Sequence, residues 1–172
     1  MFVFSHDKLE GMKYYLMTLL FLALIMGCKK PVNKAEVDHG VEEKTWLQDL
    51  NGNPVQLSAF KGQRILLNYW ADWCLPCLTE FPSLVSAQEK LKEENYVFLF
   101  ASPDKKEVIE AFKRKKEYPV RFLQLKDNLE ALGIYSLPTT VIYSTDGNEF
   151  KRHRGAMVWD SDAIIKLLKE VP

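Results

Sequence analysis

Cys74 and Cys77 are the residues of this chain best suited to chemistry, because two cysteines separated by two residues can form and break a disulfide with each other. They follow an apolar run over residues 65–69 that predicts a buried strand, and they begin a helical pattern. At such a junction Cys74 would lie at the helix N-terminus, where backbone N–H groups and the helix dipole stabilise a thiolate. Cys77 comes one turn later on the same face. We therefore expect Cys74 to be the nucleophile and Cys77 to be the resolving thiol.

The alternative chemistry for this cysteine pair is half of a zinc site, which would need two further Cys or His ligands. C-terminal to Cys28, the chain offers only His39, in a polar N-terminal segment, and His153, on a distant predicted hairpin. We therefore predict no metal, and no cofactor other than the redox-active Cys74–Cys77 disulfide.

The composition of the chain indicates one globular domain. A length of 172 residues is enough for one domain with a core, and 47% hydrophobic and 27% charged residues are ordinary for a globular protein. The formal net charge is zero, so we expect no nucleic acid partner.

The third cysteine, Cys28, ends an N-terminal segment that we interpret as a targeting signal. The apolar run over residues 16–26 is short for a membrane span and typical of a signal-peptide core, with Lys13 as its positive flank. The end of this run, Ile25-Met26-Gly27-Cys28, resembles a bacterial lipobox, whose cysteine is lipidated and becomes the new N-terminus. The alternative is an uncleaved anchor helix with an incidental cysteine.

These features divide the chain into three predicted parts. We expect a lipoprotein-type signal peptide over 1–27, with Met12 as an alternative start to Met1. The lipidated Cys28 and a flexible tether would follow over 28–44, and a folded domain over 45–172.

Within the predicted domain, hydrophobic periodicity and turn signals give the order of elements. Two short strands flank Asn51-Gly52, a strong hairpin signal. The elements expected after them are a strand at 64–70, the cysteine helix to about Glu93, a strand at 96–101, a helix at 105–117 capped by Asp104, a strand at 120–125, a short helix at 128–132 ended by Gly133, strands at 141–143 and 149–154, and a last helix from about Ser161. This order predicts an α/β fold in which helices cover both faces of a central mixed β-sheet and the final hairpin is antiparallel.

The basic run 113–116 on the second helix has two readings. It could be a docking patch for acidic headgroups, but a solvated helix face is favoured, because the charges bracket an ordinary amphipathic stripe.

The sequence from Trp70 to Cys77, Trp-Ala-Asp-Trp-Cys-Leu-Pro-Cys, together with Leu137-Pro138-Thr139, resembles thioredoxin. More closely, Phe60-Lys61-Gly62 and the stretch 67–82 resemble the TlpA/ResA-like branch of membrane-tethered, extracytoplasmic thiol–disulfide oxidoreductases. The resemblance covers residues 41–170 approximately. It implies a thioredoxin-like fold with an N-terminal β-hairpin, a helix–strand insertion at 104–125, and a cis-Pro138 packed beside the cysteines. The residues expected to contact a substrate chain there are Trp73, Leu75, Pro76, Leu137 and Thr139.

Two positions distinguish the TlpA/ResA-like branch from thioredoxin. Thioredoxin has a buried Asp six places before its first cysteine, whereas this chain has Asn68, which cannot take a proton. Glu80 lies three residues after Cys77, where the branch carries an acidic residue. Our hypothesis is that Glu80 handles the proton of Cys77 and that burial raises the pKa of its carboxyl. The alternative is a glutamate that is simply favoured by the helix dipole.

The function expected from these features is that of a membrane-tethered, extracytoplasmic thiol–disulfide oxidoreductase that reduces disulfides in exported proteins. A membrane electron donor of the thioredoxin/DsbD-like type would re-reduce it, and lipid on Cys28 would hold it at the periplasmic side of a membrane. Cytochrome c maturation is a more specific alternative. It is opposed by the Pro138 loop, which lacks the Gly-x-Pro-Glu that such proteins often carry there.

Two other classes remain as alternatives. A peroxiredoxin-like thiol peroxidase would need a Thr three residues before its reactive cysteine, where this chain has Ala71. A non-catalytic copper-binding or adaptor module of the same fold would use a three-residue cysteine spacing and a nearby His, and His153 is remote in sequence.

Overall fold

The computed structural model describes residues 46–172. The predictions of a signal peptide, of lipidation at Cys28 and of a tether lie outside the described residues. Within 46–172, no helix is both long enough and apolar enough to cross a membrane.

The order of elements follows the prediction closely. The seven strands of residues 46–172 are β1 (Leu47–Gln48), β2 (Pro54–Val55), β3 (Arg64–Tyr69), β4 (Tyr96–Ser102), β5 (Arg121–Leu125), β6 (Thr139–Tyr143) and β7 (Glu149–Arg154). The α-helices are α1 (Leu75–Lys90), α2 (Lys106–Lys116) and α3 (Asp162–Lys169). The cysteine helix α1 continues through Pro82 and ends three residues before the predicted Glu93.

The strands form one mixed sheet in the order β2-β1-β5-β4-β3-β6-β7. Strand β4 runs parallel to both β3 and β5, whereas β6 runs antiparallel to β3 and to β7. The N-terminal hairpin joins the sheet through the antiparallel pairing of β1 with β5. The mixed sheet, the N-terminal hairpin, the antiparallel final hairpin and the helix–strand insertion, α2 with β5, are therefore confirmed.

Alternation along β3 separates two hydrophobic clusters, because successive side chains of a strand point to opposite faces. Leu66 and Trp70 pack with residues of all three α-helices on one face, whereas Ile65, Leu67 and Tyr69 pack on the other. The cluster on that second face also contains residues of the N-terminal hairpin and of two 3-10 helices, Leu57–Phe60 and Glu130–Leu132.

Helices lie on both faces as predicted, but they differ in kind. The second face carries short 3-10 helices and no α-helix within the described chain. The predicted short helix at 128–132 is one 3-10 turn. Gly133 follows it with a φ of 69°, a left-handed conformation that ends a helix and favours glycine.

Phe81 of α1 is the centre of an aromatic cluster that joins the insertion to the rest of the fold. Its side chain is fully buried. Ring centroids within 6.1 Å of the Phe81 ring belong to Trp70, Phe100, Phe112, Tyr118 and Phe122. Because these rings come from β4, from α2 and β5, and from the residues after β3 and α2, the cluster fixes α1 against both the sheet and the insertion.

The predicted cap of α2 is wrong. Lys105, not Asp104, occupies the N-cap position, and its side chain makes no capping hydrogen bond. The Asp104 carboxylate instead accepts hydrogen bonds from the backbone N–H of Asp72, at 2.8 Å, and from the Ser102 hydroxyl, at 2.9 Å. Since the helix begins one residue later than predicted, Asp104 links the loop before the cysteines to the start of the insertion.

The aromatic cluster predicts the effect of one substitution on stability. Phe81→Ala should lower the free energy of unfolding by about 3–5 kcal/mol, because it leaves a cavity in a close-packed core. The measurement is urea unfolding of the oxidised protein. Phe150→Ala is the matched control, since Phe150 is 45% exposed, and it should change that free energy by less than about 1 kcal/mol. Equal losses in both variants would contradict a structural role for the cluster.

Candidate active site

The two cysteines lie at the junction between the central strand β3 and the helix α1. Cys74 is the N-cap residue of α1, and Cys74 and Cys77 are joined by a disulfide. The backbone N–H of Cys77 donates a hydrogen bond to Sγ of Cys74 at 3.3 Å. No acidic residue lies in the first turn of the helix. The helix N-terminus therefore favours negative charge on the Cys74 sulfur after reduction.

The two sulfurs differ in access to solvent. Cys74 is 5% exposed, whereas Cys77 is fully buried. The neighbours of Cys74 in the chain, Trp73 and Leu75, are 69% and 70% exposed. A partner protein can therefore approach Cys74 over an apolar surface but cannot reach Cys77 directly.

Pro138 lies at the same end of the sheet as the cysteines, because it precedes β6 where β3 ends. The Leu137–Pro138 peptide bond is cis, as the family resemblance implied. In the antiparallel pairing of β3 with β6, Tyr69 faces Thr139, so Pro138 comes next to the end of β3 that leads to the disulfide. The Pro138 carbonyl accepts a hydrogen bond from the N–H of Gly155 at 2.8 Å.

The five residues predicted to contact a substrate divide into two groups. Trp73, Leu75 and Pro76 are exposed around Cys74, and Leu137 is half-buried. Thr139 differs from the prediction, because it is buried and its hydroxyl donates a hydrogen bond to the Ser136 carbonyl at 2.7 Å. Its side chain supports the proline loop and is not part of an exposed surface.

Glu80 is buried in α1 and has three hydrogen-bond donors around its carboxyl group. Its side chain lies one helical turn after Cys77 and the residue is 3% exposed. Oε1 accepts from Nδ2 of Asn68 at 2.8 Å. Oε2 accepts from Nε1 of Trp159 at 2.9 Å and from the backbone N–H of Met157 at 3.1 Å. The carboxyl is therefore held in one orientation by three donors from two segments of the chain, β3 and residues 157–159.

Burial raises the pKa of Glu80 above its ordinary value, because it penalises the charged form. The hydrogen bonds from Trp159, Asn68 and Met157 act in the opposite direction but do not cancel the effect of burial. The carboxyl can thus hold a proton at a higher pH than an exposed glutamate, as a proton donor and acceptor for a neighbouring thiol requires.

Asn68 can adapt to either state of Glu80. Its Nδ2 donates both to Glu80 and to the Thr140 hydroxyl, at 2.9 Å for the latter. Its Oδ1 is buried and has no partner within the described residues. Rotation of the amide by half a turn would present Oδ1 to the O–H of a protonated Glu80. Asn68 cannot carry the proton itself, but its amide can follow the proton of Glu80.

Sequence reasoning missed Thr140, Met157 and Trp159, and it did not foresee that His153, on the predicted hairpin, contacts Trp159. The His153 ring packs edge-on against Trp159, with centroids 5.9 Å apart, and its cross-strand partner is Thr140. Burial lowers the pKa of His153. The one available signal was the apolar Met157-Val158-Trp159 in an otherwise polar stretch.

Among residues 46–172, no three His, Cys, Asp or Glu side chains form a group that could hold a metal ion.

The geometry defines a class: a thioredoxin-like fold with a Cys-x-x-Cys disulfide at a helix N-terminus and a cis-proline at the same end of the sheet. A profile of the AhpC/TSA family matches residues 41–166, and the chain belongs to this family. Within it, the chain is a ResA-like member of thioredoxin fold.

Two relatives and one solved structure illustrate this likeness. The thiol-disulfide oxidoreductase ResA of Bacillus subtilis is 30% identical over 115 residues, or 64% of this chain and 64% of ResA. The thioredoxin-like protein YneN of the same organism is 32% identical over 115 residues, or 64% of this chain and 68% of YneN. The pneumococcal exposed lipoprotein thioredoxin Etrx1 from Streptococcus pneumoniae is 28% identical, with a TM-score of 0.61 over 73% of this chain and 97% of Etrx1. The match thus spans slightly less than two thirds of ResA.

The position of Glu80 predicts a change in the thiol pKa. Residues three apart on a helix have Cβ atoms about 5–6 Å from each other. In the pH range where thiols titrate, an ionised Glu80 would oppose a second negative charge on the cysteines. Glu80→Gln should therefore lower the apparent thiol pKa by about one pH unit or more. The measurement is the rate of iodoacetamide alkylation of the reduced protein as a function of pH.

Glu89→Gln is the matched control for this experiment. Glu89 lies on the same helix but is exposed and pairs with Lys92, so its loss should leave the alkylation profile unchanged. If Glu80→Gln also leaves that profile unchanged, Glu80 does not interact with the thiols and its proposed part in proton transfer is wrong.

Proposed function

We propose that this protein is an extracytoplasmic, membrane-tethered thiol–disulfide oxidoreductase that reduces disulfides in exported proteins. The observation that carries the proposal is the Cys74–Cys77 disulfide at the N-terminus of α1, in which Cys74 keeps a small exposed fraction and Cys77 is fully buried. The name of the relative ResA, a thiol-disulfide oxidoreductase, supports the same reaction.

The first step uses Cys74 in the reduced protein. Its thiolate, favoured by the helix N-terminus, attacks one sulfur of the partner's disulfide. A mixed disulfide forms between Cys74 and the partner, and the partner's other sulfur leaves as a thiolate that takes a proton from water. The exposed Trp73, Leu75 and Pro76 would contact the partner chain while this bond exists.

The second step uses Cys77 and Glu80. Cys77 loses its proton to the Glu80 carboxylate, and its thiolate attacks Sγ of Cys74. The partner's remaining sulfur leaves as a thiolate that takes a proton from water, and the Cys74–Cys77 disulfide forms. Two electrons have then passed from the protein to the partner. Glu80 suits this step because burial raises the pKa of its carboxyl group, which makes the carboxylate a better proton acceptor than an exposed glutamate.

Repeated reduction needs a supply of electrons and a location. We propose that a membrane electron donor of the thioredoxin/DsbD-like type reduces the Cys74–Cys77 disulfide again. Lipid on Cys28 would hold the domain at the periplasmic side of a membrane, and the exposed lipoprotein nature of Etrx1 supports this location. Apocytochromes c are one class of exported protein that such an enzyme could reduce.

Removal of the resolving thiol should trap the partner. In a Cys77→Ala variant the mixed disulfide on Cys74 cannot be resolved, so we expect a covalent complex that disappears on treatment with dithiothreitol. The measurement is non-reducing electrophoresis of the envelope fraction followed by mass analysis of the trapped protein. Cys74→Ala is the matched control and should trap nothing. If both variants give the same pattern, the two-step exchange is wrong.

The direction of the reaction can be measured separately. Proteins of this fold have reduction potentials between about −270 and −120 mV. We expect equilibration with glutathione to place the Cys74/Cys77 pair toward the reducing end of that range. A potential near the oxidising end would contradict the reductase assignment. Peroxide consumption by the reduced protein faster than its reduction of disulfides would instead favour the thiol peroxidase.

A further inference from the structure

A groove lies beside the disulfide, between α1, the loop before Cys74 and the inserted helix α2. Its volume is about 570 Å³. The floor is apolar and is formed by Leu78 of α1 and by Val108, Ala111 and Phe112 of α2. The mechanism described above uses none of these side chains.

The groove begins next to the reactive sulfur. Leu78 follows Cys74 by one helical turn, and its backbone N–H donates to the Cys74 carbonyl at 3.1 Å. Asp72, on the groove rim, is two residues before Cys74, and its N–H is bound by Asp104 just before α2. A chain whose sulfur is joined to Cys74 can therefore continue directly into the groove.

The two ends of the groove carry opposite charges. Asp72 and Glu107 line the end nearer Cys74, whereas Lys115 and Lys116 line the end at the last turn of α2. All four residues are exposed. Glu107 and Lys115 are eight residues apart on one helix, which corresponds to about 12 Å, or about four residues of extended chain.

We propose that this groove binds the segment that flanks the cysteine in the disulfide-bearing partner, and that it selects segments with an apolar side chain followed by acidic side chains. The apolar side chain would pack on Leu78 and Phe112. The acidic side chains, about four or five residues from the cysteine, would pair with Lys115 and Lys116. The inference rests on the proposed function and adds to it the sequence class of the preferred partner.

Two features favour such a segment over other occupants. The apolar floor would leave the body of a purely anionic ligand without complementary contacts. The acidic end beside Cys74 would repel a segment that carries acidic residues close to its cysteine. The groove is therefore complementary to a particular order of side chains, not to negative charge in general.

The test uses peptides with one activated disulfide each. The probe is Ser-Cys-Ser-Leu-Ser-Glu-Glu, joined through its cysteine to thionitrobenzoate, and the comparison peptide has Lys-Lys in place of Glu-Glu. Both are also made in reverse order, since a segment could enter the groove in either direction. In a single turnover, the Cys74 thiolate attacks the peptide sulfur and releases coloured thionitrobenzoate. Cys77 then releases the peptide thiol, so no further reductant is needed.

The expected result for the wild-type protein is a rate about five- to tenfold higher for the acidic peptide than for the lysine peptide in at least one order. Lys115→Glu with Lys116→Glu should reverse this preference. Ala111→Trp, which fills the groove without adding charge, should lower the rates with both peptides to a similar value. The control is Lys105→Glu with Lys126→Glu, which changes the net charge equally at exposed sites outside the groove and should keep the preference.

The small disulfide of two thionitrobenzoates separates this inference from the proposed function. All variants should reduce it at the wild-type rate, because it is too short to reach the substituted positions further along α2. If the wild type fails to reduce it, the proposed function is wrong and the groove loses its occupant as well. If the wild type reduces it but shows no preference between the peptides, only the groove inference is overturned.

Two other occupants would also overturn the inference. A second copy of the chain would make the wild type dimeric and Ala111→Trp monomeric in sedimentation equilibrium. An anionic membrane would give vesicle binding that the Lys115→Glu, Lys116→Glu variant loses, with peptide rates unchanged.

Discussion

The buried carboxyl group of Glu80 is the constraint on which the arrangement around the disulfide depends. A carboxyl group inside a protein is costly unless donors surround it. Here the donors come from β3, through Asn68, and from the segment before α3, through Met157 and Trp159. The hydroxyl of Ser83, one turn after Glu80, accepts a further hydrogen bond from the backbone N–H of Trp159 at 3.2 Å. These bonds hold a surface segment, a central strand and the cysteine helix together at one point.

The insertion contributes to the same site by packing. The rings of Phe112 and Phe122 lie against Trp70, directly after β3, and against Phe81, one residue after Glu80. The Asp104 carboxylate also binds the loop that carries Asp72. A helix and a strand absent from the simplest form of this fold thus support the residues on both sides of the disulfide, in addition to widening the sheet.

Local patterns explain why so much of the architecture could be predicted. The alternation along β3, the Asn51-Gly52 turn and Gly133 each act within a few residues, so the sequence displays their effect directly. The partners of Glu80 could not be found in this way, because Met157 and Trp159 are separated from it by 77 and 79 residues. The Asp104 cap failed for a related reason. Asp72, 32 residues away, supplies a competing donor that only the tertiary structure reveals.

The two edge strands of the sheet affect whether copies of such a domain aggregate at high local concentration. A free strand edge can pair with another chain and start aggregation. The edge strand β2 has only two residues, which gives a second molecule little backbone to pair with. The other edge strand, β7, is longer, but it carries Glu149, Lys151, Arg152 and Arg154. Many copies crowded on one surface would therefore meet through a short edge or a charged one, and both oppose the growth of an intermolecular sheet.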